Sequence, residues 1–120
     1  VSGACKELAN ELPPTKFHGY EKTLHDSKLV AILVGGARVQ AANAGDDVQL
    51  VFGETPFYAE SGGQVGDIGV VQSSAAIVDV TDTKKPAGDV FVHIGKVRSG
   101  TLKVGDIVEC FDVEQVQATL

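Results

Sequence analysis

Gly105-Asp106-Ile107-Val108-Glu109-Cys110-Phe111-Asp112-Val113 is the stretch on which the fold reading turns. A glycine–aspartate pair leads straight into a short segment rich in apolar and β-branched side chains. Glycine supplies the positive φ of a tight turn, and aspartate bonds nearby backbone amides as the chain re-enters a sheet. The same punctuation recurs at Gly45-Asp46, Gly66-Asp67 and Gly88-Asp89, each directly before a strand candidate or within two residues of one. Working outward, the candidates are Leu29–Val34, Val48–Phe52, Ile68–Val71, Ala76–Val80, Val90–Ile94 and Ile107–Val113. Valine occurs 18 times, almost always after Thr15, and density of that kind favours strands. Short strands with no long helix between them predict an antiparallel all-β fold. A small β-barrel is favoured over a sandwich because it leaves fewer bare edges. The glycine–aspartate intervals are too uneven for a solenoid.

The chain has 120 residues, 43% of them hydrophobic and 22% charged, the profile of one globular domain. Its longest apolar run, Leu29–Val34, is far short of the ~20 residues that span a bilayer, so no membrane partner is expected. Residues 1–12 read as a short amphipathic helix through Ala4, Leu8 and Leu12, ended by Pro13-Pro14. Residues 1–14 are therefore expected to form a helical lead-in or linker outside the core, with the barrel over 15–113. The spacing of Val113, Val116 and Leu120 predicts that 114–120 begin a further helix. With no methionine in the sequence, the expectation is a piece cut from a larger protein.

Net charge is −6, unevenly spread. Residues 39–83 carry Asp46, Asp47, Glu54, Glu60, Asp67, Asp79 and Asp82 with no lysine or arginine, whereas 84–103 hold Lys84, Lys85, Lys96, Arg98 and Lys103 against Asp89 alone. A strong nucleic-acid binder needs a basic face, so DNA is not an expected partner. The five bases are the candidate RNA contacts, against the plainer alternative of a solvated hairpin. Cys5 and Cys110 are too few for a disulfide framework and predict reduced thiols in a cytoplasmic protein. His18, His25 and His93 lack metal-ligand spacing, so no metal is expected within this chain. His93, between Val92 and Ile94, is expected to be a hydrogen-bonded barrel residue.

One segment lacks strand texture. Glu54–Asp67 reads Glu-Thr-Pro-Phe-Tyr-Ala-Glu-Ser-Gly-Gly-Gln-Val-Gly-Asp, long for a connection in a compact β domain. Phe57 and Tyr58 are expected to pin it to the body, and Pro56 to stiffen its start. Gly62-Gly63 lets another chain or ligand approach the backbone closely, and Gln64 follows with both a donor and an acceptor. The alternative is a structural Ω-loop built round a glycine turn.

Thr55-Pro56-Phe57-Tyr58-Ala59-Glu60-Ser61-Gly62-Gly63-Gln64-Val65-Gly66-Asp67-x-Gly69 resembles the signature stretch of the alanyl-tRNA synthetases. Phe17-x-Gly19-Tyr20, His93-x-Gly95-Lys96, Gly100-x-Leu102-x-Val104-Gly105-Asp106 and Asp112 agree in order. Free-standing editing proteins related to this family typically show Pro-Glu-Gly-Gly-Gly-Gln in the loop, and Ala59-Glu60-Ser61 favours the synthetase. The resemblance implies a barrel like those of translation factors, lying between tRNA-recognition and editing domains. It also implies an ATP- and magnesium-using parent that charges alanine tRNA. A pocket built for alanine rejects glycine or serine only about 10–200-fold, so a second, hydrolytic site is needed. In the family that site holds zinc on ligands expected after Leu120, so no catalytic residue is expected in this chain. Gln64, Gly62 and Gly63 are then the residues facing the editing site, with Glu60 and Ser61 as weaker candidates whose alternative role is to bond the loop to itself. A purely structural spacer remains the main rival. A peptide-release Gly-Gly-Gln loop is a distant one, because Thr-Pro-Phe-Tyr and Val-Gly-Asp do not belong to it.

Overall fold

The computed structural model describes residues 3–113. In chain order it contains α1 (Gly3–Glu11), β1 (Lys16–Phe17), β2 (Thr23–Val34), β3 (Ala37–Val39), β4 (Ala41–Asn43), β5 (Asp47–Phe52), β6 (Glu54–Thr55), β7 (Ile68–Gln72), β8 (Ala76–Lys84), β9 (Val92–Lys103) and β10 (Ile107–Val113). Six long strands pair antiparallel in the order β10-β7-β8-β9-β5-β2, and β10 pairs again with β2 to close the wall. The chain is a closed antiparallel barrel, as the sequence predicted. Short β3 extends β2, β4 covers the far end of β9, and β1 lies parallel to β6.

Turn chemistry follows the sequence closely. Gly35 and Gly36 both have positive φ (60° and 80°) between paired Val34 and Ala37, the two-residue hairpin geometry that matches strand twist. At Gly45-Asp46 and Gly105-Asp106 one device is used twice. Each glycine sits at φ above 90°, and each aspartate side chain accepts the backbone amide three residues earlier, from Asn43 at 2.8 Å and Lys103 at 2.9 Å. Gly88 also has positive φ. Gly66 departs from the expectation: its φ is ordinary, and it is glycine because a Cβ would meet the Thr83 carbonyl oxygen at 2.2 Å.

The interior holds Leu29, Ile32, Leu50, Phe52, Phe57, Val71, Val78, Val97, Leu102, Val108 and Cys110. Strand periodicity of two would put Leu29 on the face of Ala31 and Leu33. A register shift against β5 between Leu29 and Ala31 adds one residue, so Leu29 and Ile32 point inward while Ala31 and Leu33 point out. A second shift, against β10, surrounds Asp26, the one non-glycine residue with positive φ among those described (59°). Burial pushes the Cys110 thiol up to about 12, so it stays protonated.

Helix α1 is docked. Cys5 and Leu8 pack with Ala31, Leu33, Val51, Val90 and Val92 on the outside of β2, β5 and β9. Leu8 is fully buried, which contributes roughly 1.5–3 kcal/mol. This corrects the expectation of a lead-in outside any core. The outward residues of the six-residue apolar run need a cover, and the helix supplies it. The helix expected over 114–120 lies outside the described residues.

Candidate functional site

The segment between β6 and β7 is held at its base by a buried polar chain. The Nδ1–H of His93 donates to the Leu50 carbonyl (2.9 Å), so the other ring nitrogen accepts the Thr55 hydroxyl (2.7 Å), and Thr55 Oγ1 accepts the Phe57 amide (3.1 Å). Both ring nitrogens of His93 and the Thr55 hydroxyl are thus partnered, as burial demands. Phe52 and Phe57 set their rings edge-on to the imidazole at 4.7 and 5.4 Å. His93 has no exposure, and desolvation holds its pKa down to about 4. It is neutral at pH 7 and structural, as the sequence suggested.

Further along, the loop is laced to β8. The Glu60 amide donates to the Thr83 carbonyl (3.0 Å), the Gly66 amide to Asp82 Oδ1 (2.7 Å), and the Thr83 hydroxyl to the Asp67 carbonyl (2.9 Å). Tyr58 and Asp67 close the neck, the Tyr58 amide reaching the Asp67 carboxylate and the Asp67 amide returning to the Tyr58 carbonyl, both at 2.9 Å. Lys84 Nζ donates to the carbonyls of Gly62 (3.2 Å) and Gln64, and lies 3.7 Å from Asp82. Phe57 is buried as expected, whereas Tyr58 is 51% exposed and pins the loop through its backbone hydrogen bonds and an edge-on ring contact with Phe17.

The tip itself, Ser61 to Val65, faces solvent. A Cβ on Gly62 or Gly63 would meet nothing within 4 Å, and neither has positive φ. Neither the local conformation nor packing within the chain therefore requires glycine there. The Gln64 side chain has no hydrogen-bond partner among the described residues, and its backbone oxygen alone is engaged. Glu60 joins the loop to β8 through its backbone, and Ser61 is exposed.

The five bases of 84–103 do not converge. Lys84 and Lys85 sit at the loop end, and Lys103 sits at the far end of β9, roughly 30 Å away at ~3.3 Å per strand residue. Lys96 faces Asp47 at 3.7 Å, and Arg98 pairs with Asp79 through two nitrogens, which holds the Asp79 carboxyl below its usual range. Lys85 instead lies 5.6 Å from the centre of the Phe91 ring. Lys84, the most engaged of the five, is a loop clamp. Sequence reasoning missed that role and those of Thr55, Asp67 and Asp82, whose signal was only their place in or opposite the central motif.

No group of three or more histidine, cysteine, aspartate or glutamate side chains among the described residues is arranged to hold a metal ion. No described helix is long and apolar enough to cross a membrane.

Residues 2–115 match the family description "tRNA synthetases class II (A)". Among individual proteins, the chain is 52% identical over 104 residues to an alanine–tRNA ligase of Parvibaculum lavamentivorans, covering 86% of this chain and 12% of that protein. It is 48% identical over 108 residues to an alanine–tRNA ligase of Synechococcus elongatus, and 50% identical over the same length to one of Thermosynechococcus vestitus, each time covering 90% of this chain and 12% of the relative. The chain thus spans about an eighth of the length of these relatives. The motif that runs through the loop from Thr55 to Gly69 is carried by a chain that belongs to the class II tRNA synthetase family, with alanine–tRNA ligases as its relatives.

Proposed function

We propose that this chain is the barrel portion of an alanine–tRNA ligase, and that it presents Gly62, Gly63 and Gln64 to a site that clears tRNA mischarged with serine or glycine. In this reading the whole protein charges alanine tRNA in the cytoplasm at the expense of ATP and magnesium. Residues 1–14 lead in from a tRNA-recognition region, 15–113 form the barrel, and 114–120 lead on to an editing domain. The described residues do not fit a zinc ion. This chain's contribution is to position. The observation that carries the reading is the contrast within the loop: a base and neck fixed by buried and charged hydrogen bonds, and a tip whose glycines and glutamine side chain serve nothing inside the chain. Glycine at an open position with ordinary φ gives a bulky substrate close access to the backbone. The Gln64 amide is then free to orient an aminoacyl ester.

The test is Gln64→Ala in the full-length ligase. Clearance of serine-charged tRNA should slow by about 10²–10³ if the amide stabilises the transition state, or by up to about tenfold if it only orients the ester. Alanine charging should be unchanged. Equal clearance by parent and variant would leave the barrel as a spacer between other domains.

A further inference from the structure

Beside the loop lies a patch the editing reading does not use. Phe17 packs on Phe91 (5.6 Å between ring centres) and edge-on to Tyr58 (6.0 Å). Phe91 is buried, whereas Phe17 and Tyr58 are 39% and 51% exposed, with Val65 and Tyr20 also open to solvent. Exposed aromatic rings side by side are unusual on a surface with no partner. A cation completes the pattern. Lys85 lies over Phe91 and has no ion-pair partner among the described residues. Nearby carboxylates are occupied: Glu54 by His18 at 2.7 Å, Asp82 by Lys84, and Asp67 by the Tyr58 amide. Contacts run unbroken from Gly62 and Gln64 through Lys84, then Lys85, Phe91 and Phe17 to Tyr58.

We infer that Phe17 and Tyr58, with Lys85 beside them, form a stacking platform for the unpaired 3′ strand of tRNA as it passes the Gly62–Gln64 loop. The inference rests on the tRNA reading above and names where the strand is held. Stacking on aromatic faces is how proteins grip single strands without reading sequence, and cations beside the rings hold the phosphates. A duplex buries its base faces in its own stack and gains nothing from such a surface. Glu21 and Glu60 are the acidic neighbours in sequence without a side-chain partner shown, and they keep the expected affinity modest.

The experiment titrates the 120-residue chain, labelled for amide NMR, with an eight-nucleotide single-stranded RNA ending in CCA. Shifts should centre on Phe17, Tyr58 and Lys85, with a dissociation constant on the order of 100 µM at 50 mM salt. One phosphate contact predicts about two- to threefold weakening at 200 mM salt. Tyr58→Ala should weaken binding about tenfold, and Tyr58→Phe, which keeps the ring, less than twofold. Lys85→Gln should reduce the salt slope by about 0.7. The same RNA as a duplex should bind at least tenfold more weakly. No shift at 1 mM RNA, equal binding of the duplex, or full binding by a folded Tyr58→Ala chain would each overturn the platform and leave the patch as a contact to protein. Binding is read on uncharged RNA and the Gln64 role on clearance of serine-charged tRNA by the full-length protein, so the platform and the editing role of Gln64 fail independently.

Discussion

A methyl group added at Gly69 would meet the Phe111 carbonyl oxygen at 2.0 Å and the Phe57 ring at 2.7 Å, whereas one added at Gly62 would meet nothing within 4 Å. Both glycines belong to one short motif, yet the wall and the loop use the residue for opposite reasons. In the wall, Gly69 and Gly95 lie where neighbouring backbone comes too close for any side chain, the latter against the Asp79 carbonyl oxygen at 2.0 Å, and Gly66 meets the same limit where the loop is laced to β8. Gly62 and Gly63 stand in open space. Glycine in the wall answers to the fold, and glycine at the tip answers to no packing or conformational demand among the described residues. A sequence motif can therefore mix two kinds of demand that only coordinates separate.

Three measurements would break or sharpen this contrast. The largest effect should come from Gly69→Ala. Forcing a Cβ against backbone that cannot swing aside should cost about 3 kcal/mol or more, read as a lower urea midpoint and a melting temperature down by about 10 °C. A loss below about 1 kcal/mol would mean that the wall yields, and that its glycines are not set by packing.

The second concerns the base of the loop. With its pKa held to about 4 in the folded chain, against an ordinary value near 6.5, His93 takes up a proton more readily when unfolded. Its contribution is therefore complete above about pH 6.5 and is lost as pH falls toward 4, a span of about 3 kcal/mol. Carboxylates titrate in part of that range, so the measurement is a difference. Urea unfolding of the parent chain and of His93→Gln at pH 7 and pH 4.5 should show a shallower pH dependence in the variant. Identical dependence would remove His93 from the anchor.

The smallest effect on stability, and the sharpest on the comparison, belongs to Gly62→Ala and Gly63→Ala. Each should move the unfolding free energy by no more than about 0.5–1 kcal/mol, toward greater stability if anything, because the unfolded chain loses freedom. The proposed editing role requires that the same variants, in the full-length protein, slow clearance of serine-charged tRNA. A large destabilisation would place these glycines with those of the wall.

Much of the barrel was legible before any coordinates. Ile107–Val113 begins and ends where the sequence put it, four other strands contain their candidates, and β9 takes up the candidate Val90–Ile94 only from Val92 onward. What escaped was polar or glycine-broken: Thr23–Lys28 at the start of β2, Thr81–Lys84 at the end of β8, and Gly95–Lys103 in the second half of β9. Outward-facing strand positions carry no apolar signal, and the register shifts of β2 and β9 scramble the alternation that would betray a strand. The docking of α1 was hidden for a related reason. The run Leu29–Val34 reads as one buried strand, and nothing in it says that its outer face is covered by residues from the chain's beginning. The loop tip was legible because its residues are not explained by folding. Its supports were not, because Thr55, Asp82 and Lys84 are ordinary strand residues until the chain brings them together.

The pairing of β10 with both β7 and β2 bears on how the molecule is made. β5 pairs with the earlier β2, β8 pairs with β7, and β9 joins the two pairs through β5 and β8, which leaves Ile107–Val113 to join the two edges that remain open. Until it arrives, β2 and β7 each present a row of unsatisfied amides and carbonyls, the template on which chains pair with one another. Partners as far apart in sequence as Lys28 and Ile107 also make closure slow compared with local hairpins. The most hazardous moment for this protein is thus the interval between synthesis of β9 and synthesis of β10. A chain shortened before Ile107 would be expected to aggregate through its two edges rather than simply to lose stability.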